Sequence, residues 1–331
     1  MVKTINIDAD DRRILHALQL DGRASFARIA MVLDMSERMV SRRYHRLRSQ
    51  LVLRVVGVTR LDQQAHADWF LNITAPPESV DAVGRVLAAR GDTSWIASMA
   101  GNGGLTCVLR TTADAGEAGH ALAQFRRRAN VGTVTAQRLL APVAGVGGWP
   151  GRLQALTTSE REALAPDVHL PPLPNTTRAN APSSAEDQRL LALLATDGRM
   201  SVARIASASG IPESTVRRRI TDLTERGVLM FEVEVDPKHY GRYIDVICLL
   251  DVQPAALRLV TEDLGSHTEV AFAATTTGST NVLAIGEFTA ADALHRYLAD
   301  RLGALSGVRH VHTEIVSSWI KRAGPLLLPR N

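Results

Sequence analysis

Asp21-Gly-Arg-Ala-Ser-Phe-Ala-Arg-Ile-Ala30 returns as Asp197-Gly-Arg-Met-Ser-Val-Ala-Arg-Ile-Ala206, which marks the chain as duplicated. The likeness extends beyond the two decapeptides: Asp11 to Leu53 and Asp187 to Leu229 align without a gap at an offset of 176, with 19 of 43 positions identical. Repetition at so long a period marks duplicated domains and not a solenoid. The chain has 331 residues, 45% of them apolar. At roughly 100–200 residues per domain this allows two to four units, and the duplication favours an even number.

Each copy opens with the same helix signals. Asp8 stands three residues before Asp11 and Ser184 three before Asp187, placing a capping oxygen and a capping-box acid at both starts. Ile14, Leu15 and Leu18, or Leu190, Leu191 and Leu194, follow at helical spacing, and Gly22 and Gly198 read as left-handed stops. A second short helix is expected over about Ser25–Leu33 and Ser201–Ser209. A tight break at Asp34-Met35-Ser36 or Gly210-Ile211-Pro212 leads into a third helix, so each copy reads as a helix-turn-helix unit. In the third helix Val40, Tyr44 and Leu47, or Val216, Ile220 and Leu223, define one buried face.

Beyond each helical block the period changes to short strands. In the second half the pattern predicts strands near Phe231–Val235, Asp245–Val252, Val270–Thr276, Asn281–Glu287 and Val308–Ser317. Helices are expected over Ala255–Leu264 and Ala290–Leu302. After the lead-in strand this is a βαββαβ order, and a weaker version runs from Leu53 to Val143. The fold class is therefore α+β: two winged-type helix-turn-helix domains, each followed by a ferredoxin-like βαββαβ domain. Boundaries are set at 1–55, 56–144, 183–232 and 233–323, with a Gly/Pro-rich linker at 145–182 and a tail at 324–331. Within the linker a short helix is expected around Ser159–Leu164.

Composition narrows the chemistry. The formal charge is only +4, from 38 basic and 34 acidic side chains, so affinity for nucleic acid must come from local clusters. Cys107 and Cys248 sit in apolar runs as buried strand residues, which argues against a disulfide framework or a metal site. No apolar stretch approaches the roughly 18 residues of a membrane span, and the first thirteen residues are polar. A soluble, cytoplasmic protein without cofactor is expected.

The third helices supply the local charge. The first presents Ser36, Arg38, Ser41, Arg42, Arg43 and Arg46, with Arg48 beyond; the second presents Ser214, Thr215, Arg217, Arg218 and Arg219, diluted by Asp222 and Glu225. An α-helix fits the major groove of double-stranded DNA, and short polar and guanidinium groups on its exposed face reach base edges and phosphates. One such Arg-rich face is ordinarily just solvated. Two copies in the same context point to DNA binding.

These residues resemble the Lrp/AsnC family of transcriptional regulators. The resemblance rests on the Asp-x-x-Ile/Leu-Leu-x-x-Leu helix, Asp-Gly-Arg-x-Ser, Arg-Ile-Ala, and the helix bearing Val40-Ser-Arg-Arg or Val216-Arg-Arg-Arg. Val235-Asp236-Pro237-x-x-Tyr-Gly241 adds a hinge-like segment. It implies a regulator made of two fused family units, an intrachain pseudo-dimer that assembles further into homo-oligomers, and no enzyme. It also implies a small effector, such as an amino acid, at a Gly-containing turn between the second and third strands. Here those turns carry Gly101, Asn102 and Gly103 in one copy and Gly278, Ser279, Thr280 and Asn281 in the other. Members often have an Asp three residues after the Gly, where this chain has Gly104 and Asn281, so an effector relying on that carboxylate would bind differently or not at all. An ordinary hairpin explains the same residues.

Two other readings compete. Siroheme decarboxylases resemble the same architecture, and His267, His295, His310 and His312 are the available imidazoles, although they form no recognisable catalytic constellation. His310 and His312 alternate on one strand face without a third ligand spaced for a metal. A ligand sensor with one degenerate DNA-binding unit would account for the acidic residues of the second copy.

Overall fold

In the computed structural model, residues 7–50, 52–59, 66–101, 103–112, 114, 116, 119–120, 123–124, 131–145, 154–164 and 184–323 are described. They divide into two compact units, one drawn from 1–62 and 153–240, the other from 63–152 and 241–331. Like has collected with like: the first unit holds both helical copies, the second both sheet copies.

Along the first half run α1 (Ala9–Leu20), α2 (Phe26–Leu33), α3 (Glu37–Ser49), β1 (Leu53–Thr59), β2 (His66–Ile73), α4 (Val80–Ala89), β3 (Thr93–Met99), β4 (Leu105–Thr112), β5 (Val134–Ala144) and α5 (Thr158–Leu164). The second half repeats the order with α6 (Ala185–Thr196), α7 (Val202–Ser209), α8 (Glu213–Glu225), β6 (Leu229–Val235), β7 (Ile244–Val252), α9 (Leu257–Ser266), β8 (Val270–Thr276), β9 (Val282–Phe288), α10 (Ala291–Arg296) and β10 (Val308–Lys321). α10 continues as a π-helical turn over Tyr297–Leu302. Its counterpart in the first copy falls within 113–130, most of which lies outside the described residues.

Local chemistry sets the helix ends. Asp8 caps α1 and Ser184 caps α6, each accepting from the N–H three residues on, and Asp11 and Asp187 return the second bond of the capping box. The role expected of Gly22 and Gly198 is corrected. α1 ends at Asp21 and α6 at Asp197, both extended, and neither following glycine has a positive φ. The left-handed residues close the next helices instead, Asp34 (φ 54°) after α2 and Gly210 (φ 72°) after α7. Gly22 and Gly198 are small because the copies meet there. A Cβ on Gly22 would lie 2.8 Å from Phe231 Cβ, and one on Gly198 about 3 Å from the backbone of Val55, Val56 and Gly57.

The meeting is organised by a two-stranded antiparallel ribbon. β1 pairs with β6 from Leu53 opposite Val235 to Thr59 opposite Leu229. Val56 faces Glu232, its own counterpart at the offset of 176, so a pseudo-dyad passes through the middle of the ribbon. Gly198 N–H donates to Val55 O at 2.8 Å, tying the turn after α6 to the first copy's strand. An isolated ribbon is marginal in water, and here helices of both copies cover it. Val55, Val233 and Val235 join Ile14, Leu18, Val40 and Leu47 in one core, while Leu229 joins Leu190, Leu194 and Val216 in another.

In the second unit the sheets run β3-β4-β2-β5 and β8-β9-β7-β10, the ferredoxin-like order in both copies. β5 then pairs with β8 and β10 with β3, closing eight strands into a barrel with no free edge. Alternation along the strands separates two faces. Phe70, Ala97, Met99, Ile247 and Leu283 fill the barrel interior. Leu71, Ile73 and Cys107 turn towards α4, and Val246, Cys248 and Leu250 towards α9. Among the described residues no helix is long and apolar enough to cross a membrane.

The short helix expected around Ser159–Leu164 forms as α5, Thr158–Leu164. Residues 154–164 dock on the first helical copy, burying Leu156 and Leu164 in its core, with Arg13 paired to Glu160 at 2.6 Å and Arg28 donating to Ala163 O at 3.0 Å. Beneath them His16 is 1% exposed; its Nδ1 accepts from Ala155 N–H, and its Nε2 has no hydrogen-bond partner among the described residues. Burial, with Arg161 nearby, pushes this imidazole down to about 4. A proton that the undocked chain accepts below its ordinary value of 6.5 is refused by the docked one. The docking contribution is therefore full above pH 6.5 and is lost as pH falls towards 4. Protease protection of residues 154–164 is expected to decline over that window and to become pH-independent in His16→Ala, the residue the second copy carries at position 192. Equal protection at pH 7 and pH 4.5 in the parent protein would contradict this.

Candidate nucleic-acid interface and effector turns

α3 and α8 are each thirteen residues long and share one buried edge, Val40, Tyr44 and Leu47 in the first, Val216 and Leu223 in the second. Opposite that edge Arg38, Arg42 and Arg46 are exposed on α3, and Ser214, Arg217 and Arg218 on α8, while Ser41 and Thr215 are half-buried. Ser36 caps α3, its hydroxyl accepting from Met39 N–H at 3.2 Å; Pro212 occupies the corresponding position before α8. At the offset of 176, Arg42 matches Arg218, but Arg38 matches Ser214, Ser41 matches Arg217 and Arg46 matches Asp222. The two outward faces share one arginine and differ around it.

Three arginines expected to contact DNA bond carboxylates of the protein, Arg43 and Arg219 from half-buried positions and Arg46 from an exposed one. Arg43 donates to Asp8 at 2.7 Å, Asp11 at 2.9 Å and Asp10 at 3.0 Å. Arg219 repeats the arrangement with Asp187 at 2.8 Å, Ser184 Oγ at 3.2 Å and Glu186. Both arginines clamp the third helix of a copy to the capped N-terminus of its first helix. Burial works against the charge of Asp187, yet the Ser184 backbone and hydroxyl donors and Arg219 together hold its carboxyl below the usual carboxylate range. Arg46 also reaches the buried Asp11, from an exposed position. Arg48 reaches across to the other copy and pairs with Asp197 at 2.7 Å.

Sequence reasoning missed a contact made by the repeated decapeptide itself. Arg23 donates to Gly198 O at 2.6 Å and Met200 O at 3.3 Å, while Arg199 donates to Gly22 O at 2.8 Å and Ala24 O at 2.9 Å. Each acceptor pair is the other's counterpart at the offset of 176. The signal was present as an arginine kept after Asp-Gly in both copies, but its acceptors are backbone carbonyls that leave no mark on sequence.

The turns expected to meet an effector differ in filling. In the second unit Asn281 spends its side chain on Val252, accepting from its N–H at 2.9 Å and donating to its carbonyl at 2.7 Å. Gln137 of β5 donates to Thr280 Oγ1 and O at 2.8 and 3.0 Å, and a Cβ on Gly278 (φ 113°) would lie 2.8 Å from Gln137 Nε2. Ser279 is exposed at the tip. In the first copy, Gly103 has φ 63° and Gly104 O accepts from Met99 N–H; Asn102 lies outside the described residues. His267 is buried against the Tyr297 hydroxyl at 3.0 Å, whereas His295, His310 and His312 are exposed. Among the described residues no three His, Cys, Asp or Glu side chains group to hold a metal ion.

Two helix-turn-helix copies and a paired sheet unit define the class, and comparison with known proteins identifies it. The AsnC-type helix-turn-helix domain matches residues 7–48 and 185–224, and the Lrp/AsnC ligand binding domain matches 245–326. An HTH-type transcriptional regulator of Pyrococcus furiosus is 32% identical over 139 residues, which are 42% of this chain and 93% of that protein. The HTH-type transcriptional regulator LrpA of Pyrococcus horikoshii is 26% identical over 136 residues, 41% of this chain and 96% of that protein. The chain belongs to the Lrp/AsnC family of transcriptional regulators, with the helix-turn-helix part present twice. Among solved structures, the siroheme decarboxylase NirDL aligns with a TM-score of 0.62 at 13% identity, over 95% of this chain and 93% of that one, a likeness of fold.

Arg42, exposed, and Arg43, clamped to Asp11, are separated by substitution. Arg42→Ala is expected to flatten the salt dependence of DNA binding by about 0.9 in log–log slope for each phosphate the protein no longer neutralises, at unchanged melting temperature. Arg43→Ala is expected to cost about 1–3 kcal/mol of stability by removing a donor from buried Asp11. Thermal melts and binding titrations on both variants check this; an Arg43→Ala protein as stable as its parent would contradict the clamp.

Proposed function

We propose that this protein is a sequence-specific transcription regulator in which one chain supplies both halves of a DNA-binding dimer. The observation that carries the reading is the pairing of two helix-turn-helix copies about the Val56–Glu232 dyad, each with an exposed face on its third helix. On this reading α3 contacts DNA through Ser36, Arg38, Ser41, Arg42 and Arg46, and α8 through Ser214, Thr215, Arg217 and Arg218, while Arg43 and Arg219 orient the helices from behind. The DNA-binding part then extends over 1–62 and 183–240, past the boundaries expected at 55/56 and 232/233 because β1 and β6 pair there, and 63–144 and 241–323 form the regulatory part. The protein acts in the cytoplasm and assembles further into homo-oligomers.

A small effector, such as an amino acid, binds in the sheet unit at the Gly101–Gly103 and Gly278–Asn281 turns. Asn281 is committed to Val252, and Gly104 has no side chain, so neither turn offers the carboxylate common in the family. Recognition there uses backbone groups and the Thr280 and Ser279 hydroxyls.

Unequal reading helices require unequal half-sites. Fragments selected from the source genome by the purified protein, at near-physiological salt with excess nonspecific competitor, are expected to share an imperfect palindrome occupied by one chain. A perfect palindrome holding two chains would contradict the single-chain dimer. No enrichment, with uptake of an iron porphyrin by the same sample, would turn the reading towards tetrapyrrole chemistry.

A further inference from the structure

The Asp-Gly-Arg motif sits where the two reading modules touch, and its arginine crosses the dyad in both directions. Arg23 reaches the carbonyls of Gly198 and Met200, Arg199 those of Gly22 and Ala24. Each guanidinium lies largely out of water and spans two carbonyls of the opposite turn, a contact fixed in both distance and direction. Asp21 and Asp197 complete the turns by accepting the N–H of Arg23 and Arg199 at 2.9 and 3.1 Å.

The two sides of this exchange are unequal. Arg199 lies over the rings of Phe26 and Tyr44, at 4.7 and 5.2 Å, and Arg48 bonds Asp197 at 2.7 Å. Tyr44 and Arg48 both belong to α3, so the first reading helix is tied directly to the second copy. Arg23 lies over the Phe231 ring, at 5.4 Å. The α8 counterparts of Tyr44 and Arg48 are Ile220 and Thr224, which offer neither a ring nor a charge.

We propose that Arg23 and Arg199 are positioning residues that set the separation and phase of α3 and α8, and thereby the half-site spacing that the protein accepts on DNA. Arg199, reinforced by Tyr44 and Arg48, holds the α3 side, and the α8 side takes up what play remains. This inference rests on the DNA-binding reading. A single inserted base pair moves one half-site by about 3.4 Å and rotates it by about 35°. A fixed pair of reading helices cannot follow that change and keep both half-sites fully bonded.

The test uses the full chain and its selected operator, with zero, one or two base pairs inserted or deleted between half-sites. Affinity is measured at constant salt, and a duplex carrying one half-site serves as reference. The wild type is expected to bind about tenfold or more weakly after one inserted pair, the scale of one mismatched base pair. Arg199→Lys and Arg48→Thr are expected to reduce that penalty to about threefold or less, each variant's own single-half-site affinity serving as its reference, with Arg23→Lys having a smaller effect. Arg48→Thr copies the second copy's residue at an exposed position, so it remains informative should Arg199→Lys fold poorly. A wild type indifferent to spacing, or variants with the wild-type spacing profile, would overturn the inference while leaving DNA binding intact. A wild type that binds no DNA would overturn the parent reading and this one with it.

Discussion

The β1–β6 ribbon is the constraint on which the DNA-binding unit depends. A single copy would expose the backbone donors and acceptors of its strand along an unpaired edge, with too few neighbours to make a stable sheet. The other copy supplies the missing partner, in the register that places Val56 against Glu232. Once that register is set, Gly198 and Gly22 come against the opposite strand or its neighbours, and a side chain at either would collide with Phe231 or the β1 backbone. The barrel solves the same problem, with β5 closing on β8 and β10 on β3. Joining the copies in one chain makes these pairings intramolecular and raises their effective concentration.

Divergence between the copies follows what each side chain touches. The clamp of Arg43 on Asp8, Asp10 and Asp11 survives as Arg219 on Ser184, Glu186 and Asp187, and the Arg23 exchange survives as Arg199. These bonds point inward or cross the dyad, where removal of one partner strands the other. Positions exposed in both copies have drifted, Arg38 against Ser214 and Ser49 against Glu225, and so have two arginines whose bonds the second copy does without, Arg46 against Asp222 and Arg48 against Thr224. A scaffold held constant with changed outer surfaces fits a protein whose two modules read different sequences.

Much of this was legible in the chain. Capping boxes at Asp8 and Ser184, the apolar periods of the first and third helices, and the βαββαβ order of the second half all formed where local chemistry and alternation put them. What escaped were choices made by tertiary partners. An arginine on a helix looks the same facing phosphate or a buried carboxylate, so Arg43 and Arg219 could not be separated from Arg42 and Arg218. A glycine after a helix looks the same in a left-handed cap or in a close crossing, which misplaced Gly22 and Gly198. His16, a lone imidazole among Ile14, Leu15 and Leu18, was the available hint that something polar covers α1, and Ala155 is that partner.

The duplicated modules pair within one chain. Val56 and Glu232, facing each other on the pseudo-dyad, provide the most direct test. With both replaced by cysteine, in a background where Cys107 and Cys248 are serine, mild oxidation at low protein concentration is followed by non-reducing electrophoresis. The account predicts a disulfide that closes within the monomer, shifting its mobility without doubling its mass. Disulfide-linked dimers at every concentration, or cysteines that stay reduced in the folded protein, would contradict it.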